Sequence, residues 1–300
     1  MSKFTIHHAT IHRYARPVTL GQHRLMFRPR DSHDLRLIDA RLSVTPAPME
    51  TRWVHDVFGN SITLMSFQGE TDLLEIVSTI ELEHFGLDRP LVPLEPYAAF
   101  YPFSYPFDEL PDLSRSIERQ YPDPNHEVDR WARRFVAGNG GGGAMPTQLL
   151  LEEMTRAIPR DFAYRSRWEP GVQDPVETLY RRSGTCRDFA LFMMEAARAL
   201  GFAARFVSGY LYDPAVDPNF NVGGQALLGS GATHAWVQIY LPGAGWVEFD
   251  PTNGLFGGAN LFRVAVARDP SQAIPLQGSY AGDADDILSE EITVSVRRNR

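Results

Sequence analysis

The sequence predicts an α+β protein with two domains, an antiparallel β-sandwich over residues 1–110 and a domain of helices and antiparallel strands over residues 111–300. Apolar and polar side chains alternate over most of the first hundred residues, which is the period of half-buried strands. After about residue 114 the apolar residues recur every three or four positions, which is the period of helices. A chain of 300 residues is long enough for two such domains.

The first domain contains at least four predicted strands. Alternation is clear in KFTIHHATIHRY, LRLIDARLSVTP, NSITLMSF and LEIVSTIELEHF. Pro, Gly, Asp and Asn separate these segments, and DVFGNS at 56–61 is typical of a tight turn. Because no helical pattern interrupts the strands, we expect them to pair antiparallel and to form a sandwich.

The second domain opens with predicted helices. The apolar spacing in NHEVDRWARRFV and PTQLLLEEMTRAI predicts two of them, and DPVETLYRR begins a third with a capping aspartate and a proline in the first turn. Strands follow the next helix in AARFVSGYLY, THAWVQIYL and GWVEFDP. EITVSVR is predicted as a last strand and is placed with this second domain.

The only cysteine of the chain, Cys186, lies where a further helix is predicted to begin. Thr185 is a suitable N-cap, Asp188 stands in capping-box position as structural support, and Gly201 is a suitable end signal. Burial of this thiol disfavours the thiolate, whereas the free amides and the dipole at a helix start favour it. A histidine beside the sulfur would therefore decide whether the thiol can react.

The segment THAWVQIYLPGAGWVEFDP supplies a histidine and an acid on two predicted strands. If residues 242–244 form the turn, Leu241 pairs with Gly245, and His234 and Asp250 become diagonal neighbours on one face. A register shifted by one residue would place the two side chains on opposite faces.

These residue types suit nucleophilic catalysis. Asp250 would orient His234, His234 would accept the thiol proton, and Cys186 would attack an acyl carbon. The backbone amide of Cys186 is one candidate oxyanion donor, and Tyr164 or Trp236 is a candidate for the second. Taken singly, each has a structural alternative, because free cysteines and aromatic side chains commonly serve as packing groups.

The motifs SGTCRDFALFMMEAARALGFAARFVSGYLY and GATHAWVQIYLPGAGWVEFDPTNG resemble the bacterial transglutaminase-like superfamily, whose core is similar to papain-type thiol enzymes. The resemblance implies a papain-like core with Cys186, His234 and Asp250 as its catalytic triad. YARPVTLGQHRLMFRPR, together with DVFGNS, resembles the β domain that precedes this core in many bacterial members. Leu191 departs from the family pattern, in which many members carry histidine, and this places the chain in a variant subgroup.

The resemblance implies a thiol-dependent enzyme that attacks a peptide or protein amide. Hydrolysis of a peptide or isopeptide bond is the first expectation, and transfer of the acyl group to an amine is the second. The alternative is a non-catalytic binding or scaffold protein that keeps the fold. No metal or other cofactor is expected.

Composition argues against several partners and compartments. The chain has 37 acidic and 29 basic residues, a net charge of −8, which disfavours nucleic acid as a partner. No apolar run approaches the roughly 18 residues that cross a bilayer, so no membrane partner is expected. One cysteine cannot form an internal disulfide, and the N-terminal residues lack the apolar core of a signal peptide, so we expect a cytoplasmic protein.

Overall fold

A computed structural model of the chain describes residues 2–86, 93–136, 144–167, 171–220 and 226–299. It confirms the α+β class. The helices are α1 (Leu110–Ile117), α2 (Glu127–Val136), α3 (Thr147–Asp161), α4 (Pro175–Arg181) and α5 (Cys186–Ala199). Within the described ranges, no helix has the length and apolar character that a membrane crossing requires.

The first seven strands precede the α-helices, and the eighth follows α2. They are β1 (Ser2–Leu20), β2 (His23–Leu25), β3 (Leu35–Thr45), β4 (Glu50–His55), β5 (Ser61–Ser66), β6 (Glu70–His84), β7 (Phe100–Tyr101) and β8 (Met145–Pro146). The later strands are β9 (Ala163–Tyr164), β10 (Ser183–Gly184), β11 (Ala204–Leu211), β12 (His234–Leu241), β13 (Gly245–Asp250), β14 (Leu255–Phe256), β15 (Leu261–Ala267), β16 (Leu276–Gln277), β17 (Tyr280–Ala281) and β18 (Ile287–Arg298).

The N-terminal half forms a sandwich of two antiparallel sheets. One sheet has the order β17-β1-β6-β3, with β18 also paired to β1, and the other has the order β16-β2-β5-β4. The alternating apolar residues of β1, β2, β5 and β6 fill the space between the sheets. This core comprises Tyr14, Val18, Leu20, Leu25, Phe27, Met65, Leu74 and Ile76. The predicted sandwich is confirmed.

The C-terminal strand belongs to this first sheet. β18 runs antiparallel along β1, from Phe4 opposite Arg298 to Tyr14 opposite Ile287. The sequence analysis placed this strand with the second domain, and the pairing corrects that placement. Alternation identifies a strand and its faces, but it does not identify the partner, which here lies almost the whole chain away. The domain boundary near residue 110 stays a prediction.

The second half is built on a five-stranded antiparallel sheet with the order β14-β13-β12-β11-β15. Helix α5 packs against β11 and β12 through fully buried side chains such as Phe189, Met193 and Val237. The hairpin between β12 and β13 has the predicted register, with Leu241 opposite Gly245. Strand β15, which the sequence analysis did not identify, completes the sheet beside β11.

One buried cluster joins the sandwich to this second sheet. Phe4 of β1 packs edge-on against Tyr212 at a centroid distance of 4.9 Å and lies 4.8 Å from Phe262. Nearby, His8 is hydrogen-bonded to the Tyr210 hydroxyl at 3.0 Å. Burial, with a smaller contribution from His7, lowers the pKa of His8 to about 4, so this ring is neutral near pH 7. The sandwich and the second sheet therefore share one apolar core.

Candidate active site

Helix α5 begins at Cys186, whose side chain is 7% exposed. Thr185 caps the helix, because its hydroxyl accepts from the Asp188 backbone amide and the Asp188 carboxylate accepts from the Thr185 amide at 2.8 Å. The predicted capping box is confirmed. As the first helical residue, Cys186 carries a backbone amide without an acceptor inside the helix, and this amide is available to a developing oxyanion.

Asp188 ties the start of α5 to the preceding loops. Its carboxylate is fully buried and accepts two hydrogen bonds from the Arg167 guanidinium, both at 3.0 Å, and one from the Gln173 amide at 2.7 Å. Hydrogen bonds from a charged group and from backbone amides to both oxygens of a buried carboxylate are strong, so they restrict the movement of the segments that donate them. Asp188 therefore fixes the position of the cysteine-bearing turn.

His234 and Asp250 meet on one face of the β12–β13 hairpin, as the predicted register requires. Nε2 of His234 lies 2.9 Å from Oδ2 of Asp250, and both side chains are fully buried. Asp250 also accepts from the Thr252 backbone amide at 2.9 Å and from Asn253 Nδ2 at 2.8 Å. Burial alone would raise the pKa of Asp250, but the His234 charge and these hydrogen bonds hold it below its usual value.

Cys186 lies near enough to His234 to influence the charge of its imidazole. Because Nε2 is bound to Asp250, the nitrogen left for the thiol is Nδ1, which is buried and has no hydrogen-bond partner among the described residues. Burial by itself lowers the pKa of His234, but the charge of Asp250, the hydrogen bond to it and the nearby Cys186 together raise the pKa to about 10. The ring is therefore cationic near pH 7 and stabilises a thiolate beside it.

Trp236 supports the histidine but is not an oxyanion donor. Its indole ring lies nearly parallel to the imidazole, at 26° with centroids 6.1 Å apart, and is completely buried. The indole N–H donates to the Glu248 carboxylate, which also accepts from Gln238 and Arg263. Its sequence context makes Trp236 a candidate for the second oxyanion donor. The structure corrects this, because the N–H that the role needs is already committed to a buried carboxylate.

Tyr164 lies beside the cysteine-bearing turn. β9 pairs with β10, which places Tyr164 next to Gly184, and its ring packs edge-on against Phe189 of α5. Burial, with smaller contributions from Cys186 and Asp188, raises the pKa of Tyr164 to about 12, so the phenol keeps its proton. A protonated hydroxyl near the sulfur fits the second oxyanion donor, and that role stays a prediction.

Two residues at the site were missed by the sequence reasoning. Asn253 bonds to Asp250 and to the loop before β12, and Gly229 of that loop lies against the His234 ring. The Asp-Pro-Thr-Asn turn after β13 is a signal that could have pointed to Asn253. The glycines of GSGA, directly before THAW, are a signal that could have pointed to Gly229 and its loop.

The site contains a thiol that can act as a nucleophile, Cys186, and an imidazole that can act as a general acid, His234. A sulfur at a helix start, a cationic imidazole and a buried carboxylate stand in sequence, which is the constellation used for acyl transfer. In the described part of the chain, no three His, Cys, Asp or Glu side chains converge where they could hold a metal ion.

Two family profiles match the chain. Residues 4–83 match the bacterial transglutaminase-like N-terminal region, and residues 137–251 match the transglutaminase-like superfamily. The first match covers β1 to β6 of the sandwich, and the second ends one residue after Asp250. The resemblance noted in the sequence is confirmed by these matches.

The chain is similar to several known proteins, some over nearly its whole length and others over only part of it. An uncharacterized protein of Mycobacterium bovis is 28% identical over 97% of this chain and 92% of its own length. A protein-glutamine gamma-glutamyltransferase of Pseudomonas aeruginosa is 32% identical over 47% of this chain and 20% of its own length. The crystal structure of a candidate cysteine protease from Cytophaga hutchinsonii has a TM-score of 0.68, with 18% identity, over 98% of this chain and 90% of that one. This last likeness shows the shared fold.

Proposed function

Because residues 4–83 and 137–251 match two regions of transglutaminase-like proteins, we propose that the chain is a thiol-dependent acyl-transfer enzyme that attacks an amide bond through Cys186. The family supports a thiol-dependent enzyme in general terms, and the reaction is our inference. One observation carries it: Cys186 begins a helix near a buried His234–Asp250 pair, in which the carboxylate bonds to the imidazole at 2.9 Å and favours its cationic form.

The proposed reaction has two halves. In the first, the thiolate of Cys186 attacks the amide carbon, the C–N bond breaks, and His234 gives its Nδ1 proton to the leaving amine. In the second, neutral His234 takes a proton from water, the hydroxide attacks the thioester and the C–S bond breaks, so that a carboxylic acid leaves and the thiolate of Cys186 and the imidazolium of His234 are restored. The Cys186 amide and the Tyr164 hydroxyl would stabilise the oxyanion of each tetrahedral intermediate.

Hydrolysis of a peptide or isopeptide bond is the first form of this proposal, since water is always available to the thioester unless the site excludes it. Transfer to an amine is the second form. It is favoured by the similarity to a protein-glutamine gamma-glutamyltransferase, which covers 47% of this chain. We propose a peptide or protein amide as substrate in both forms, and the cytoplasm as the compartment because the single cysteine needs no oxidising environment.

Alkylation of the single cysteine tests the activation of the thiol. We expect iodoacetamide to label Cys186 rapidly near pH 7, and His234→Ala to slow the labelling by about tenfold or more, because the thiolate loses its cationic partner. Since no other cysteine is present, intact mass reports this one thiol. Equal rates in both proteins would contradict the proposal and would favour a non-catalytic protein.

Acyl capture tests the reaction itself. Incubation with peptide libraries should add an acyl mass to the native protein, and the adduct should be absent from Cys186→Ala. Chasing the adduct with water or with a primary amine distinguishes hydrolysis from transfer. Retained turnover in the folded Cys186→Ala variant would refute Cys186 as the nucleophile.

A further inference from the structure

The loop that precedes β12 lies directly against the proposed general acid. A Cβ built on Gly229 would stand 2.6 Å from Nδ1 of His234 and 3.2 Å from its Cε1. Real Cβ atoms do not approach another atom so closely, so only glycine fits there while the ring keeps its place. The backbone of Gly229 thus packs against one side of the imidazole near Nδ1.

Asn253 fastens this loop to the carboxylate that orients the imidazole. Its Oδ1 accepts from the Leu228 amide at 2.9 Å, and its Nδ2 donates to the Leu228 carbonyl at 3.1 Å. The same Nδ2 donates to Asp250 Oδ2 at 2.8 Å, and that oxygen also binds His234. One side-chain amide therefore sets the position of the loop relative to the His234–Asp250 pair.

The two ends of the loop are held by other parts of the chain. The Leu227 amide donates to the buried Asp213 carboxylate at 2.7 Å, and the Gly231 carbonyl accepts from the Val294 amide of β18 at 3.0 Å. The loop is thus anchored at one end to Asp213, two residues after β11, and at the other end to β18 of the sandwich. These anchors leave little freedom for Gly229 to move away from the ring.

We propose that residues 227–230 form a wall that positions the His234 imidazole, with Gly229 against its Nδ1 edge, Trp236 along its face and Asn253 locking the wall to Asp250. The proposal rests on the proposed function, because it assigns positioning residues to the general acid of that reaction. Gly229 and Asn253 act through His234 and have no assigned contact with substrate.

Two glycines of the loop provide a matched pair for the test. Gly229 and Gly231 both have left-handed backbone, with φ of +86° and +88°, so an alanine is strained by a similar amount at either position. They differ in their surroundings, since a Cβ on Gly231 would meet no described atom within 4 Å. Any difference between Gly229→Ala and Gly231→Ala therefore reports the contact with the imidazole and not the backbone strain.

We expect Gly229→Ala to slow both iodoacetamide labelling of Cys186 and peptide turnover by about tenfold or more, because a displaced ring no longer meets the sulfur. Gly231→Ala should stay within about twofold of the native protein in both assays. Asn253→Ala should slow labelling by about tenfold and move the imidazole titration of His234, followed by NMR, toward the ordinary value of histidine. Circular dichroism checks that each variant is folded.

Equal effects of the two glycine variants would overturn the wall, as would an unchanged His234 titration in Asn253→Ala. If Gly229→Ala does not fold, Asn253→Ala decides the matter alone. The outcome is separable from the proposed function: the NMR titration reads the ring without any substrate. A native protein with an unreactive thiol would refute the reaction, even where the ring shifts as expected in the variants.

Discussion

At the scale of single residues, His234 and Asp250 each owe their charge to the other. The imidazole has a pKa raised from 6.5 to about 10, and the carboxyl has a pKa lowered from 3.8, although burial opposes both shifts. A raised folded pKa contributes stability that is complete below pH 6.5 and is lost as the pH rises through about 10. The lowered pKa of Asp250 contributes stability above pH 3.8 and loses it in stronger acid.

Asp250→Asn should therefore destabilise the protein most in the window between these limits. Without the carboxylate, the buried imidazole must lose its proton on folding, which becomes costly wherever the unfolded histidine is charged. We expect the gap in denaturation midpoint between native protein and variant to be wide at about pH 5 and narrow at about pH 10. Asp39→Asn, which changes an exposed ion pair with Arg41, is the control and should show a small gap at both values. A gap for Asp250→Asn that does not change with pH would contradict this account.

At the scale of elements, the start of α5 determines where the sulfur lies. The capping box between Thr185 and Asp188 makes Thr185 the N-cap, so Cys186 is the first residue of the helix. The hairpin of β12 and β13 brings the other two groups together, because its three-residue turn sets the register that puts His234 and Asp250 on one face. The capping box and the hairpin turn are both local features, and each depends on a few neighbouring residues.

Removal of the cap should cost stability without changing the hydrophobic core. Thr185→Ala deletes the hydroxyl that accepts from the Asp188 amide, and we expect a loss of about 1 kcal/mol in the free energy of unfolding. Thr185→Ser keeps the hydroxyl and is the matched control, with an expected change of only a few tenths of a kcal/mol. Urea denaturation measures both. A serine variant as unstable as the alanine variant would show that the methyl group, and not the cap, stabilises this turn.

At the scale of the whole molecule, the N-terminal strand β1 and the C-terminal strand β18 pair with each other in the first sheet. β18 pairs with residues 4–14 of β1, and the core that contains Phe4 and Ile6 of β1 also contains Phe189 and Phe262 of the second half. A shared core of this kind couples the unfolding of the two halves. The same C-terminal strand holds the loop beside His234 through the Val294 amide, so the sandwich also supports the site.

Deletion of residues 287–300 should therefore affect far more than the last strand. It exposes one edge of β1 and frees the Gly231 carbonyl, and we expect a lower unfolding temperature, a tendency to aggregate and slower labelling of Cys186. Deletion of Arg300 alone is the control and should leave all three unchanged. The native protein should unfold in one transition by tryptophan fluorescence and by circular dichroism. Two separate transitions, or a truncated protein as stable as the native one, would contradict the coupling.

The sequence by itself determined strands β1, β3, β5 and β6 of the sandwich, the cap on α5, and the register of the β12–β13 hairpin that brings His234 and Asp250 together. These features depend on neighbours a few positions apart, where periodicity, capping preference and turn length are sufficient. The sequence left β15 unidentified and placed β18 with the second domain, since a strand's pattern marks its faces but not what lies beside it.

Only the tertiary structure decided the roles of side chains whose partners are distant or hidden. Trp236 carries a hydrogen-bond donor in any reading of the sequence, yet its N–H is occupied by Glu248. Asn253 follows Asp250 in a common turn, yet its amide also binds Leu228 across the loop. A hydrogen-bond donor is available to an oxyanion only if it is not already bonded to another group. Which group it bonds to depends on tertiary packing, and local sequence patterns do not reveal this.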